Sequence, residues 1–245
     1  ASCLVGSEMC IRDSRRPCAA RVLCIGFLGG FAPAASAAAQ AVRTGQLTAE
    51  EADALLPACI CSGPSFVVLT VGQSMLGSAE LGVLLFAAQI TANYLTAALL
   101  NRFAGVHSVE QESAAPASPA PPRLDEILAD AAITYCKLCG FILFFRLLAA
   151  GAGALLPTGA GTLCAILLEV CSGCDLASRT GRWGSLLCCA ALSVQGLSVL
   201  LQVRTICPAE MTLHPLYRAR ILHLPLSLAL FYLCLLYTSD AADDL

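Results

Sequence analysis

The chain has 245 residues, 58% hydrophobic and 13% charged, with a mean hydropathy of +0.76 and a net charge of −3. Soluble domains carry about 25% charged residues, so a soluble enzyme or binding module is excluded and the lipid bilayer is the first expected partner. Charges of both signs are scattered and no basic patch interleaved with aromatics occurs, which speaks against nucleic acid.

Both ends stand apart. SCLVGSEMCIRDS and CLLYTSDAADDL read as translated sequencing adapter, so residues 1–14 and 234–245 are set aside and the natural chain is expected to continue beyond them. Without them the net charge moves from −3 to +1, because one base (Arg12) and five acids (Glu8, Asp13, Asp240, Asp243, Asp244) are removed.

Residues 15–102 read as a first repeat. A membrane helix ends near Phe31 at Gly29-Gly30 and Pro33, and a helical hairpin follows over 32–62. Its tip is Thr44-Gly45-Gln46, and Thr48 with Glu51 forms a capping box for the second arm. Glu50, Glu51 and Asp53 read as that arm's solvated start, where acids suit the helix dipole. Each arm is about 12 residues, roughly 18 Å long at helical rise, against a hydrocarbon core of about 30 Å. The hairpin is therefore expected to be re-entrant. Its second break, Ser62-Gly63-Pro64, leads into a broken helix (64–76) and a spanning helix (80–102). Broken backbone at membrane depth survives only where protein buries it or where it lines a cavity. Residues 103–123 form a linker, because AAPASPAPP (114–122) cannot hold a helix.

Residues 124–233 read as a second repeat on the same plan. A helix (124–150) is punctuated by Asp125, Glu126, Asp130, Lys137 and Arg146. GTLCAILLEV (161–170) then reaches a break at Ser172-Gly173, opening a hairpin at about 173–196 with a basic tip at Arg179, Gly181 and Arg182. A break at Gln195-Gly196 and a final helix (216–233) complete it. The expected fold class is an all-α polytopic membrane protein. Each of its two repeats holds a re-entrant helical hairpin and an interrupted transmembrane helix, the pattern of secondary transporters with a site at mid-bilayer.

Fifteen cysteines suggest metal or disulfides. The two C-x-x-C pairs, Cys136/Cys139 and Cys171/Cys174, are nevertheless spaced too far apart for an ordinary zinc module. They read as small buried apolar residues in a reducing setting. No metal or other cofactor is expected. Nor is enzymatic activity, since no Ser/His/Asp order or phosphate loop occurs.

The candidate site residues lie at the breaks. Gly30, Ser62, Gly63, Gly173 and Gly196 are assigned to substrate, together with Ser198 and Gln202, which share a polar stripe with Ser193 and Gln195. Glu169, an acid closing an uncharged run, is assigned to a coupling ion or proton. Arg220 and His223, one turn apart, read as interface residues.

With these residues laid out, the chain resembles the sporulation integral membrane protein YlbJ family, whose hallmark is the nucleoside-recognition "gate" domain. GFLGGFAPAAS (26–36), RTGQLTAEEADALL, CICSGPSFVVLTVG (59–72), ILLEVCSG (166–173), GLSVLLQV (196–203) and PLYRARILH carry the resemblance. The chain departs from it at Ile60-Cys61, where the family has two asparagines, at Ala34 for a glycine and at Ser36 for a lysine. The resemblance implies a fold like the concentrative nucleoside transporters. It also implies passage of a small anionic solute, dipicolinic acid, across the mother-cell (outer forespore) membrane of a spore-forming bacterium. Coupling to Na+ or H+ and a homo-oligomeric state stay open. So do two alternatives, a nucleoside-type solute/cation symporter and a non-transporting scaffold of the sporulation machinery.

Overall fold

A computed structural model describes residues 16–104 and 123–243; the first tail and most of the 103–123 linker lie outside the described residues. Among the described residues every regular element is helical: α1 (Arg16–Gly29), α2 (Phe31–Arg43), α3 (Ala49–Cys59), a π-helix (Ser65–Met75), α4 (Ala79–Ala104), α5 (Leu124–Leu155), α6 (Thr158–Leu168), α7 (Val170–Ser178), a 3-10 turn (Gly181–Trp183), α8 (Gly184–Val194), α9 (Gly196–Ile206) and α10 (His214–Asp243). Four stretches are long and apolar enough to cross a bilayer: Ala79–Arg102, Ala131–Leu155, Gly181–Ile206 and His214–Tyr237. The protein is an all-α integral membrane protein.

Chain direction follows from which residues touch. At the tip between α2 and α3, Cys18 donates through Sγ to Gln46 Oε1 at 3.1 Å, while at the other end of these helices Gly26 abuts Cys59. Thus α1 and α3 both run away from this first tip, and α2 runs back toward it. The π-helix continues outward from α3, and Ser74 Oγ bonds Leu69 O five residues back at 3.0 Å, in step with its wider turn. The chain reverses at Gly77, and α4 returns so closely that a Cβ on Gly82 would lie 2.8 Å from Val68 Cα.

Next, α5 travels from the first-tip end, where Ile133 and Lys137 line one cleft with Gln40 and Arg43, to the far end. There Gly161 of α6 meets Gly153 of α5. From α6 the chain turns back at Glu169, and α7 runs out to the second tip. Cys174 and Cys188 hold α7 against the returning α8, Cys188 Sγ donating to Cys174 O at 3.4 Å. Beyond Gln195 (φ 61) and Gly196 (φ 68), α9 carries on to the first tip, where Arg43 donates to Ile206 O at 3.5 Å. Finally α10 spans from first tip to second. The two tips therefore lie at opposite ends of the bundle.

Several boundaries move. The third break falls at Glu169, whereas Ser172 and Gly173 lie inside α7, because the Glu169 side chain caps α7 and starts it early. The second hairpin is accordingly Val170–Val194 in place of about 173–196. The first helix of the second segment reaches Leu155, and the final helix runs past 233 to Asp243 without a break. Within 64–76, Ser65–Met75 adopts a π-helix.

Asp53 is also corrected. It is 5% exposed, on the face of α3 that carries Ala52 and Leu56, and is not solvated. Its carboxylate accepts from Thr212 N and Thr212 Oγ1, each at 2.8 Å, and from Leu213 N at 3.3 Å. That clamp fixes the entry to α10, where Leu213 holds a left-handed φ of 58. Hydrogen bonds to a charged group contribute about 1.5–3 kcal/mol. Asp53→Asn should therefore lower the thermal midpoint of the detergent-solubilised protein by several degrees, while Glu50→Gln, on the exposed face of the same helix, leaves it unchanged.

Candidate functional site

The four backbone breaks meet at one crossing. A Cβ on Gly30 (φ 83) would lie 2.9 Å from Gly63 N, and one on Gly196 would lie 3.0 Å from both Glu169 N and Leu168 O. The breaks thus touch in pairs, first with second and third with fourth. Two side chains join the pairs. Gln195 Nε2 donates to Ile60 O at 3.4 Å, and Arg220 donates to the same oxygen at 2.5 Å and to Ser193 O at 3.4 Å. Ile60 closes α3 and Ser193 lies in the last turn of α8. The guanidinium therefore sits at two helix C-termini, whose partial negative charge favours a cation.

Opposite in sign, Glu169 serves a helix N-terminus. It is 2% exposed and extended (φ −152, ψ 126). One carboxylate oxygen accepts from Cys171 N at 2.8 Å; the other accepts from Ser172 N at 2.7 Å and Ser172 Oγ at 2.9 Å. Three donors hold the anion in place as the cap of α7.

Around the crossing runs a polar seam between full-length helices. Gln89 Nε2 on α4 donates to Ser193 Oγ at 2.9 Å and to Cys189 O at 3.2 Å, and the Ser193 hydroxyl meets that of Ser227 on α10. His223 Nε2 pairs with Gln89 O at 3.2 Å. Further along the same face of α4, the Asn93 amide and the Thr96 hydroxyl are buried without a hydrogen-bond partner, as are Arg220 Nε, His223 Nδ1 and one amide atom each of Gln195 and Gln202.

Of the residues picked from the sequence, Gly30, Gly63, Glu169 and Gly196 line the crossing, and half-buried Ser62 adjoins Gly63. Ser198 and Gln202, both buried, follow on α9, with Gln202 Nε2 donating to Ser198 Oγ at 2.9 Å. Gly173 stands apart: a Cβ there would lie 2.8 Å from Ile166 Cα, so it serves the packing of α6 on α7. Arg220 (8% exposed) and His223 (1%) are buried in the seam and not at the interface. Gln89, Asn93 and Thr96 are not among the sequence-derived candidates, although their i, i+4, i+7 spacing inside an uncharged run is a readable signal. No group of three or more metal-ligating side chains forms among the described residues.

Comparison with protein-family models, curated proteins and solved structures gave no match for this chain.

Gly196→Ala and Gly181→Ala separate backbone strain from contact at the crossing. Both glycines have positive φ (68 and 66), but a Cβ on Gly181 would meet nothing within 4 Å. Each substitution costs about 1–2 kcal/mol for the left-handed conformation. Only Gly196→Ala should go on to disrupt folding, read as loss of a monodisperse, thermally cooperative species. Equal effects would show that the third and fourth breaks are not in contact.

Proposed function

We propose that the protein is a secondary transporter for a small anionic solute, working around the crossing of its four backbone breaks. The observation that carries this reading is Arg220. It is a cation buried among apolar helices that forms no ion pair with a carboxylate among the described residues and bonds the carbonyls of two different breaks. Unpaired charge at membrane depth is costly, and by default it marks a substrate or ion path. A carboxylate arriving at the crossing would neutralise it.

The order of elements supports the same reading. The elements α1 to α4 run as a half-helix, a hairpin, a second half-helix and a full-length helix, and we read α6 to α10 as the same series in the opposite direction. Interrupted helices in corresponding positions of two inverted halves are the pattern of secondary transporters. The resemblance to the YlbJ family narrows the proposal to dipicolinic acid, the outer forespore membrane and sporulation. Within it Glu169 is the candidate for the coupling Na+ or H+. A nucleoside-type symporter is the second reading, favoured by the unpartnered amide of Asn93 and hydroxyl of Thr96, which suit a neutral ligand.

Reconstituted into liposomes, the chain should take up labelled dipicolinate in preference to labelled uridine. Arg220→Gln, inserted normally, should lower that uptake by about tenfold or more, the weight of one charge-assisted contact. Preference for uridine would favour the second reading. Absence of uptake of either solute, or unchanged dipicolinate uptake in Arg220→Gln, would refute transport through this site.

A further inference from the structure

A cleft of about 620 Å³ lies between α2, α5 and α9, away from the seam on α4 and α10. Its lining runs along α2 from Arg43, at the first tip, to Ala32, two residues past the Gly30 break. Eleven residues of helix rise roughly 16 Å, so the cleft connects the first-tip end of the bundle with the crossing. Ser36, Thr134, Lys137, Gln202 and Thr205 also line it, and among the described residues no acidic side chain does.

Two observations point to a ligand. Lys137 lies within the apolar stretch Ala131–Leu155, where an ammonium facing lipid is expensive, yet it faces this cleft together with Arg43. Gln202 is 3% exposed; its Nε2 donates to Ser198 Oγ, and its Oε1, an acceptor, is buried at the cleft wall without a donor. A cleft with two cations, three hydroxyl-bearing residues (Ser36, Thr134 and Thr205) and a buried amide oxygen without a donor matches a small carboxylate that also carries a hydrogen-bond donor.

We propose that this cleft is an anion-binding vestibule, through which a small carboxylate reaches the crossing from the first-tip side. The proposal rests on the transport reading for its direction, but the binding site stands on its own residues. Along α9, Thr205, Gln202, Ser198 and Gln195 then form the polar track from the vestibule to the crossing. The phosphate of an anionic lipid headgroup has the same charge chemistry and is the competing occupant.

The test is equilibrium binding of labelled dipicolinate to the full chain in nanodiscs of phosphatidylcholine, repeated with phosphatidylglycerol present. In the Arg220→Gln background, which removes the crossing's cation, binding should persist. Adding Arg43→Gln and Lys137→Gln should weaken it by about tenfold for each charge and flatten its dependence on salt. Lys137→Arg should preserve it, and Arg179→Gln at the second tip should have no effect. Loss of all binding in Arg220→Gln alone, or unchanged affinity in the charge-neutralised variant, would overturn the vestibule. Binding that phosphatidylglycerol abolishes would identify the site as a lipid-headgroup site and overturn it as a solute path. If uptake fails while cleft binding follows this pattern, the transport reading falls and the site remains.

Discussion

Breaking a helix inside an apolar bundle frees backbone N–H and C=O groups that lipid cannot satisfy, at several kcal/mol for each group left alone. Four such breaks occur here, and the fold gathers them at one crossing where buried side chains reach their backbone groups. Arg220 supplies donors to the carbonyls ending α3 and α8, and Glu169 supplies acceptors to the amides opening α7. The signs agree with the helix dipoles they meet. A cation at helix C-termini and an anion at a helix N-terminus are both better placed here than anywhere else on these helices.

Gathering the breaks requires backbones to approach closely, and small residues allow it. One side of α2 buries Ala34, Ala35, Ala38, Ala39 and Ala41, while Gly26 meets Cys59 and Gly72 meets Gly82. In lipid, apolar burial between helices gains little, so association relies on close van der Waals contact and hydrogen bonds between helices. The alanine-rich arm and the crossing's polar bonds therefore work together. One brings the hairpin in, and the other fixes its depth.

Where a helix end is set by its immediate neighbours, local chemistry decides the structure. The start of α2 after Gly30, the start of α3 at the Thr48–Glu51 capping box and the start of the π-helix after Pro64 are all set within a few residues. The misreadings share a different cause. Ser172-Gly173 has the composition of a break, but the real one is Glu169, a residue type that seldom caps and does so here because its own side chain folds back on α7. Asp53 sits in an acidic run whose other members are solvated or capping, and its partners, Thr212 and Leu213, lie about 160 residues away. Arg220 and His223 resemble an interfacial pair until α3 and α8 are placed against α10. Each of these depends on long-range packing, which a pattern of neighbours does not contain.

The distribution of satisfied and unsatisfied groups then bears on function. Both buried charges at the crossing, Glu169 and Arg220, are engaged by hydrogen bonds, whereas the wholly unpartnered side chains are neutral, Asn93 and Thr96 on α4. Leaving a neutral amide or hydroxyl unpaired costs a few kcal/mol, and leaving a charge unpaired costs far more, so the fold spends its bonds on the charges first. Arg220, however, is bonded only to carbonyls, which carry partial charge. A carboxylate presented to its Nη groups is the stronger acceptor and would compete for the donors that now hold Ile60 O and Ser193 O. On the transport reading, solute binding would thereby loosen the link between the second and fourth breaks, and with it the link between the two hairpins. The group that closes the crossing would then also be the one through which a solute reopens it.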